Sequence, residues 1–131
     1  KYFDQVSQIA TLINQKKIDS LVKELVKIRK QSGRIFFLGV GGGNKKKKVS
    51  TNLIYAIDYA KKIKSRVFGI IGKSEGYAKR FGHNIIVIPE VDKNLVTPHT
   101  EAFQSIVWHC LVSHPSLQSN KTKWCHYYNR C

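Results

Sequence analysis

Residues 33–52 constrain the fold of this chain more than any other stretch. An apolar run, residues 35–38, leads into a loop with glycine at four of the five positions 39–43. A helical pattern follows directly, which predicts strand, loop and helix. Glycines let a backbone approach an anion closely, and a helix start offers unpaired N–H groups and the positive end of its dipole. The stretch therefore predicts an α/β protein that holds phosphate.

Four consecutive lysines, residues 45–48, fall in or just before the first turn of this predicted helix. Cations are disfavoured there by roughly 0.3–1 kcal/mol each at low salt, so a bound anion would relieve the repulsion. The alternative is a solvated lysine run that water and salt make tolerable. The residues leave both interpretations open.

Length and composition indicate one globular domain. With 131 residues, of which 42% are hydrophobic, the chain suits a single core and leaves no room for two substantial domains. No apolar stretch approaches the roughly 20 residues that span a bilayer. The residues that follow Lys1 also lack the layout of a signal peptide. We therefore expect a soluble, cytoplasmic protein without a membrane partner.

The cysteines do not follow the spacing of a zinc site. Cys110 lies in a helical pattern, while Cys125 and Cys131 lie near the end of the sequence. An odd number without such spacing favours a reducing compartment. Cys125, His126 and Cys131 can in principle contribute to a metal site, but on a polar tail we interpret them as incidental.

The charge balance is strongly basic. Lysine and arginine outnumber the acidic residues by 23 to 8, which gives a net charge of +15. Such an excess favours an acidic partner and says nothing about the fold, so nucleic acid is a rival interpretation. Against it, the basic residues are scattered over nearly every predicted element, and no recognition helix, aromatic platform or zinc finger accompanies them. The same excess would also arise if a segment rich in acidic residues were missing from this sequence.

The rest of the chain alternates between helical and strand patterns. Two amphipathic helices, over residues 2–16 and from an N-cap at Asp19 to just before Gly33, precede the first strand. The later patterns predict a helix over 49–63, a strand over 66–72, a short helix over 77–81, a strand over 84–88, and a polar tail over 116–131. Between the last strand and the tail, Thr97 as N-cap and Pro98 as first helical residue predict a helix that ends at His114.

This alternation predicts parallel βαβ units. Ligands of such sheets bind outside the carboxyl ends of the strands. Three segments meet at that edge: residues 39–44, residues 73–75, and the segment after Pro89.

The last predicted helix carries polar residues opposite its apolar face. Glu101 and His109 are eight residues apart, which on an ideal helix is about 80° of rotation and about 12 Å of rise. They can line one groove, whereas sharing a metal ion would need a long reach or a distorted helix. The alternatives are a structural His109 on the sheet and a Glu101 that stabilises the helix dipole. The positions predicted to be buried are Ala102, Phe103, Ile106, Val107, Cys110 and Leu111.

Four stretches resemble the sugar isomerase (SIS) domain family, and within it the phosphoheptose (sedoheptulose 7-phosphate) isomerases of heptose biosynthesis. They are residues 33–42, 49–53, 67–73 and, most specifically, 96–115. The resemblance implies a Rossmann-like parallel sheet flanked by helices. It covers about residues 33–117, so the single domain would consist of the two predicted N-terminal helices over 1–32, an α/β core over 33–115 and a tail over 116–131. It also implies a homo-oligomer, a dimer or tetramer, with phosphosugar sites at subunit interfaces.

The resemblance further implies an aldose–ketose isomerase of carbohydrate metabolism, which moves a proton between neighbouring carbons through an enediol(ate). His109 matches the family's terminal-helix histidine, and histidine suits general acid–base work near neutral pH. Glu101 is the second catalytic candidate. It stands where the family commonly has glutamine, so it stays open whether Glu101 and His109 bind a metal, which would be zinc.

The substrate phosphate would bind Gly41, Gly42, Gly43, Asn44, Ser50 and Thr51. The alternative function is a non-catalytic phosphosugar-binding SIS module that senses or regulates.

The glycine loop combines features that the family keeps apart. In the family, one glycine loop ends the first strand, a helix with catalytic and metal-binding groups follows, and a second loop comes after further strands. Here the first loop and the Gly-Gly-Gly-Asn of the second are fused near residues 40–44, so a sizeable middle segment is missing. Either the sequence contains only the ordered residues of a longer chain, which we favour, or the natural chain is deleted and catalytically defective.

Overall fold

The structure, a computed structural model, describes residues 1–37 and 50–119. Within them the elements are α1 (Tyr2–Leu12), α2 (Gln15–Lys30), α3 (Thr51–Lys62), β1 (Phe68–Ile71), α4 (Tyr77–Phe81), β2 (Asn84–Val87) and α5 (Val96–Val112). The two strands pair in parallel, from Phe68 opposite Asn84 to Ile71 opposite Val87. The chain is therefore mixed α/β, with a small parallel sheet flanked by helices. The βαβ unit predicted over residues 66–88 is confirmed, as is the preceding helix within two residues at each end.

The core lies where α1, α2 and α5 cover strand β2. Its residues are fully apolar, and burying a side chain of their size contributes about 1.5–3 kcal/mol each relative to exposure. The helices are therefore held on the sheet chiefly by burial. The buried cluster consists of Ile9, Ile18, Leu21, Val22, Ile86, Ile88, Phe103, Val107 and Leu111.

The predicted N-cap of the second helix is wrong. Asn14 is the cap: its side-chain oxygen accepts the backbone N–H of Lys17 at 3.1 Å, and Asp19 lies inside the helix. Asparagine caps a helix as well as aspartate does. Because this earlier cap begins α2 at Gln15, α1 ends at Leu12 and not at residue 16.

The second helix ends before Gly33, as predicted, but Gly33 is not the left-handed residue. Ser32 has φ 53°, and the Gly33 N–H then bonds to the Ile28 carbonyl at 2.9 Å, the pattern that closes many helix ends. A Cβ on Gly33 would lie 2.8 Å from Ile28 Cγ2. Any larger residue here would have to displace the Ile28 side chain, so the close approach favours glycine.

The predicted first strand is not found in the described part of the chain. Residues 33–37 have no regular secondary structure, and Ile35, Phe36 and Phe37 are 48%, 78% and 72% exposed. A strand apolar on both faces needs a neighbouring strand and covering layers, and the described residues place only β1 and β2 in a sheet. The rest of this prediction, residues 38–49 with the glycine loop and the lysine run, lies outside the described residues.

The last helix begins two residues earlier than predicted and ends at Val112 instead of His114. Val96 is its first residue and Leu95 its cap, without a side-chain cap bond, so Thr97 is not the N-cap. Pro98 lies in the first turn, where its missing N–H removes no intrahelical bond.

Burial along α5 agrees with the prediction at Phe103, Val107 and Leu111, which are buried. It differs at three other positions: Ala102 is half-buried, Ile106 is 50% exposed, and Cys110 is exposed. The buried positions follow a strict four-residue spacing that leaves residues 106 and 110 beside the core. His99, four residues before Phe103, belongs to the same buried row and is 2% exposed.

The start of the predicted tail packs against α2. Arg29 donates from its guanidinium to the carbonyls of Ser116 and Leu117 at 2.9 and 3.0 Å. The remainder, including Cys125, His126 and Cys131, lies outside the described residues. Over residues 1–37 and 50–119, no helix combines the length and apolar character needed to cross a bilayer.

Candidate functional site

The carboxyl end of β1 lies against the first half of α5. A Cβ on Gly72 would overlap the Thr100 hydroxyl, whose oxygen donates to the Val96 carbonyl at 2.6 Å. The strand can therefore leave the sheet here only with a residue that has no side chain. The loop over residues 73–76 consequently starts beside α5, at the edge where ligands of parallel sheets bind.

Helix α5 also contacts the side of β1 that faces away from β2. The carbonyls of Val67 and Ile71 accept N–H groups from residues of the β2 segment, so the Ile70 carbonyl between them points to the opposite side. Gln104 Nε2 donates to that carbonyl at 3.0 Å. This bond satisfies a strand-edge acceptor that would otherwise be free, and it fixes the middle of α5 over the sheet.

Glu101 and His109 both lie on the solvent side of α5. Both are exposed, and neither side chain forms a hydrogen bond or ion pair with any residue in the described ranges. The exposure of His109 removes the alternative that it packs on the sheet as a structural histidine. Both side chains are free to contact a substrate, about 12 Å apart along the helix axis.

Ser50 and Thr51, the described part of the predicted phosphate site, lie at the start of α3. Ser50 is the cap residue, with φ 50° and ψ 49°, and its side chain makes no cap hydrogen bond. Its carbonyl accepts the Leu53 N–H at 3.1 Å. A helix start without a side-chain cap leaves N–H groups for water or an anion. Gly41, Gly42, Gly43 and Asn44 lie outside the described residues.

The described residues do not join the two halves of the predicted site. Helix α3 packs mainly on α4, whereas α5 packs on α2 and β1. No group of three or more histidine, cysteine, aspartate or glutamate side chains that could hold a metal is found in residues 1–37 and 50–119.

A polar link, not predicted from the sequence, connects α1, α5 and the segment after β2; His99 is buried, whereas Gln5 and Asp92 are half-buried. His99 Nε2 lies 3.0 Å from Gln5 Oε1, and Gln5 Nε2 donates to Asp92 Oδ2 at 3.0 Å. Because the Gln5 amide nitrogen faces a carboxylate, its oxygen accepts, and His99 carries its proton on Nε2. His99 Nδ1 is buried without a partner among the described atoms, and the Tyr2 ring stacks on the imidazole at 4.7 Å.

Asp92 is the charged end of this link. The Asn94 backbone N–H, which donates to Asp92 Oδ1 at 2.9 Å, and then the Gln5 amide lower the pKa of the Asp92 carboxyl below its usual value. Both bonds favour the ionised form. One signal for the link was present in the sequence, since His99 stands four residues before Phe103 on the buried stripe of α5.

Two apolar grooves lie away from these residues. One, of about 370 Å³, is bounded by Ile13, Ile18, Phe103 and Ile106 among others. The second, of about 320 Å³, includes Phe37 and Trp108, whose rings meet edge to face at 5.2 Å. Glu101 and His109 line neither groove, so neither is the predicted site.

No protein-family model, curated protein or solved structure matches this chain.

Proposed function

We propose that the chain is a phosphosugar aldose–ketose isomerase of the SIS type, built on a Rossmann-like sheet. The observation that carries the proposal is the presentation of His109. It projects from the solvent side of α5, the helix whose sequence most specifically resembles the family. The same helix covers the edge of the parallel sheet through Thr100 and Gln104.

The reaction needs a base to remove a proton from the carbon next to the carbonyl and an acid to return it to the neighbouring carbon. His109 takes this role, since imidazole exchanges protons near neutral pH. Glu101 is a second contact about 12 Å along the same helix, suited to the far end of an extended sugar. The phosphate binds the glycine loop and the uncapped start of α3 at Ser50 and Thr51. The middle segment missing near residues 40–44 and a second copy of the chain complete the site.

The test is turnover of sedoheptulose 7-phosphate by the chain with its complete natural sequence. We expect His109→Ala to lower kcat by at least about 100-fold, the usual contribution of general acid–base catalysis. The matched control is His114→Asn, because His114 follows α5 and accepts the Ser116 N–H at 3.1 Å, which asparagine can also do. Unchanged turnover in His109→Ala would remove His109 from the mechanism.

A second function is a phosphosugar-binding module without catalysis. The favouring observation is that the His109 imidazole has no hydrogen-bond partner in the described part of the chain, whereas a catalytic imidazole is usually oriented by one. Under this proposal, sedoheptulose 7-phosphate raises the melting temperature of the chain while no isomer forms.

A further inference from the structure

The outer face of α2 carries a straight line of four lysines. Lys16, Lys23, Lys27 and Lys30 fall within about 60° of one another around an ideal helix and extend over about 21 Å. All four are exposed. They point away from the sheet because the opposite side of α2 buries Ile18, Leu21 and Val22. We call these four residues the lysine line.

The lysine line is not neutralised within the described residues. None of the four side chains forms an ion pair or hydrogen bond there. Helix α2 contains two acidic residues: Glu24 is paired with Arg66 at 3.0 Å, and Asp19 lies beside the line without an ion pair in the described ranges.

Helix stability alone does not explain this arrangement. Lys27 and Lys30 lie in the last turns, where the dipole favours cations, but Lys16 lies in the first turn, where it does not. Lys23 and Lys27 are four residues apart, so their like charges cost about 0.2–0.5 kcal/mol. A polyanion bound along the helix would offset both effects.

We propose that the lysine line is a nucleic-acid phosphate-binding surface, independent of the phosphosugar site. Duplex nucleic acid carries about one negative charge per 1.7 Å of axis, so about a dozen phosphates lie alongside a 21 Å line. Binding of this kind needs no base-reading motif, because lysine–phosphate contacts alone supply non-specific affinity. An anionic membrane fits less well, since Asp19 and Ser20, which lie between the lysines on this face, offer no apolar side chain to insert.

The experiment measures the affinity of the full chain for a labelled 20-base-pair DNA duplex by fluorescence anisotropy between 50 and 200 mM KCl. One variant replaces the lysine line (Lys16→Gln, Lys23→Gln, Lys27→Gln, Lys30→Gln). The control variant replaces four other exposed lysines (Lys62→Gln, Lys64→Gln, Lys79→Gln, Lys93→Gln). Both variants lose the same net charge, so a difference between them isolates the position of the charges. Circular dichroism confirms that each is folded.

For the lysine-line variant, we expect the slope of log K against log salt to shrink by about 3–4, because each phosphate contact contributes about 0.9. The control variant is expected to change it by less than one. Equal changes in the two variants, or affinity insensitive to salt, would overturn the proposal. So would a lysine-line variant that loses binding to phosphatidylserine vesicles but keeps its binding to DNA. His109→Ala leaves the DNA affinity unchanged, so this proposal and the isomerase proposal fail separately.

Discussion

Replacing Gln5 by alanine tests whether the link from His99 to Asp92 holds α1 on the domain. The substitution removes both hydrogen bonds of the Gln5 amide, each 3.0 Å long and each to a residue more than 85 positions away. His99 Nε2 then loses its partner, and His99 Nδ1 already lacks one among the described atoms. A buried group that loses its partner costs about 1–3 kcal/mol, so we expect the free energy of unfolding to fall by about 2 kcal/mol.

The measurement is urea unfolding followed by circular dichroism, with Gln8→Ala as control. Gln8 lies on the same helix, is exposed, and makes no side-chain hydrogen bond to a described residue, so its replacement should change stability by less than about 0.5 kcal/mol. The double variant Gln5→Leu with His99→Phe removes both polar partners together and should recover most of the loss, because paired apolar replacements are nearly neutral. Equal stability of Gln5→Ala and Gln8→Ala would refute the reasoning.

Two further predictions concern residues at the edge of the sheet. Since the Asn94 N–H and the Gln5 amide lower the pKa of Asp92 in the folded state, its stabilising contribution is present above the unfolded pKa and is lost as pH falls through the folded value. Asp92→Asn should therefore show a smaller drop in melting temperature from pH 7 to pH 3 than the wild type. The control variant Asp19→Asn should show the same drop as the wild type. Gly72→Ala should destabilise the domain by about 1–3 kcal/mol, because the new Cβ meets the Thr100 side chain. Adding Thr100→Ala should restore part of this loss in the same unfolding assay, and no restoration would contradict the packing argument.

Local sequence patterns predicted the helices well and their ends less well. The four-residue spacing of Phe103, Val107 and Leu111 is a property of the chain alone, and these residues are buried. The start of α2 depended on a choice between two good caps, Asn14 and Asp19. Asparagine and aspartate are equally good caps, so propensity alone could not select between them. The helix begins at the first of the two, Asn14.

The first strand shows why an apolar run is not sufficient for a strand. Residues 35–37 have the composition of a buried strand, but their side chains are exposed in the described structure. A parallel strand requires partner backbone on its edge and layers on both faces, and neither is encoded by the run itself. On the side of β1 that faces away from β2, the Ile70 carbonyl accepts a hydrogen bond from the Gln104 side chain, so this carbonyl is already occupied by α5.

The two histidines of α5 show what sequence periodicity can and cannot assign. His99 and His109 are ten residues apart, which places them about 80° from each other around an ideal helix. His99 is in register with Phe103 and is buried against Tyr2 and Gln5, whereas His109 falls outside this register and reaches solvent. Periodicity therefore separates a structural from an accessible imidazole. The chemistry of the accessible one depends on groups brought to it from elsewhere in the fold, and no pattern within a single helix contains that information.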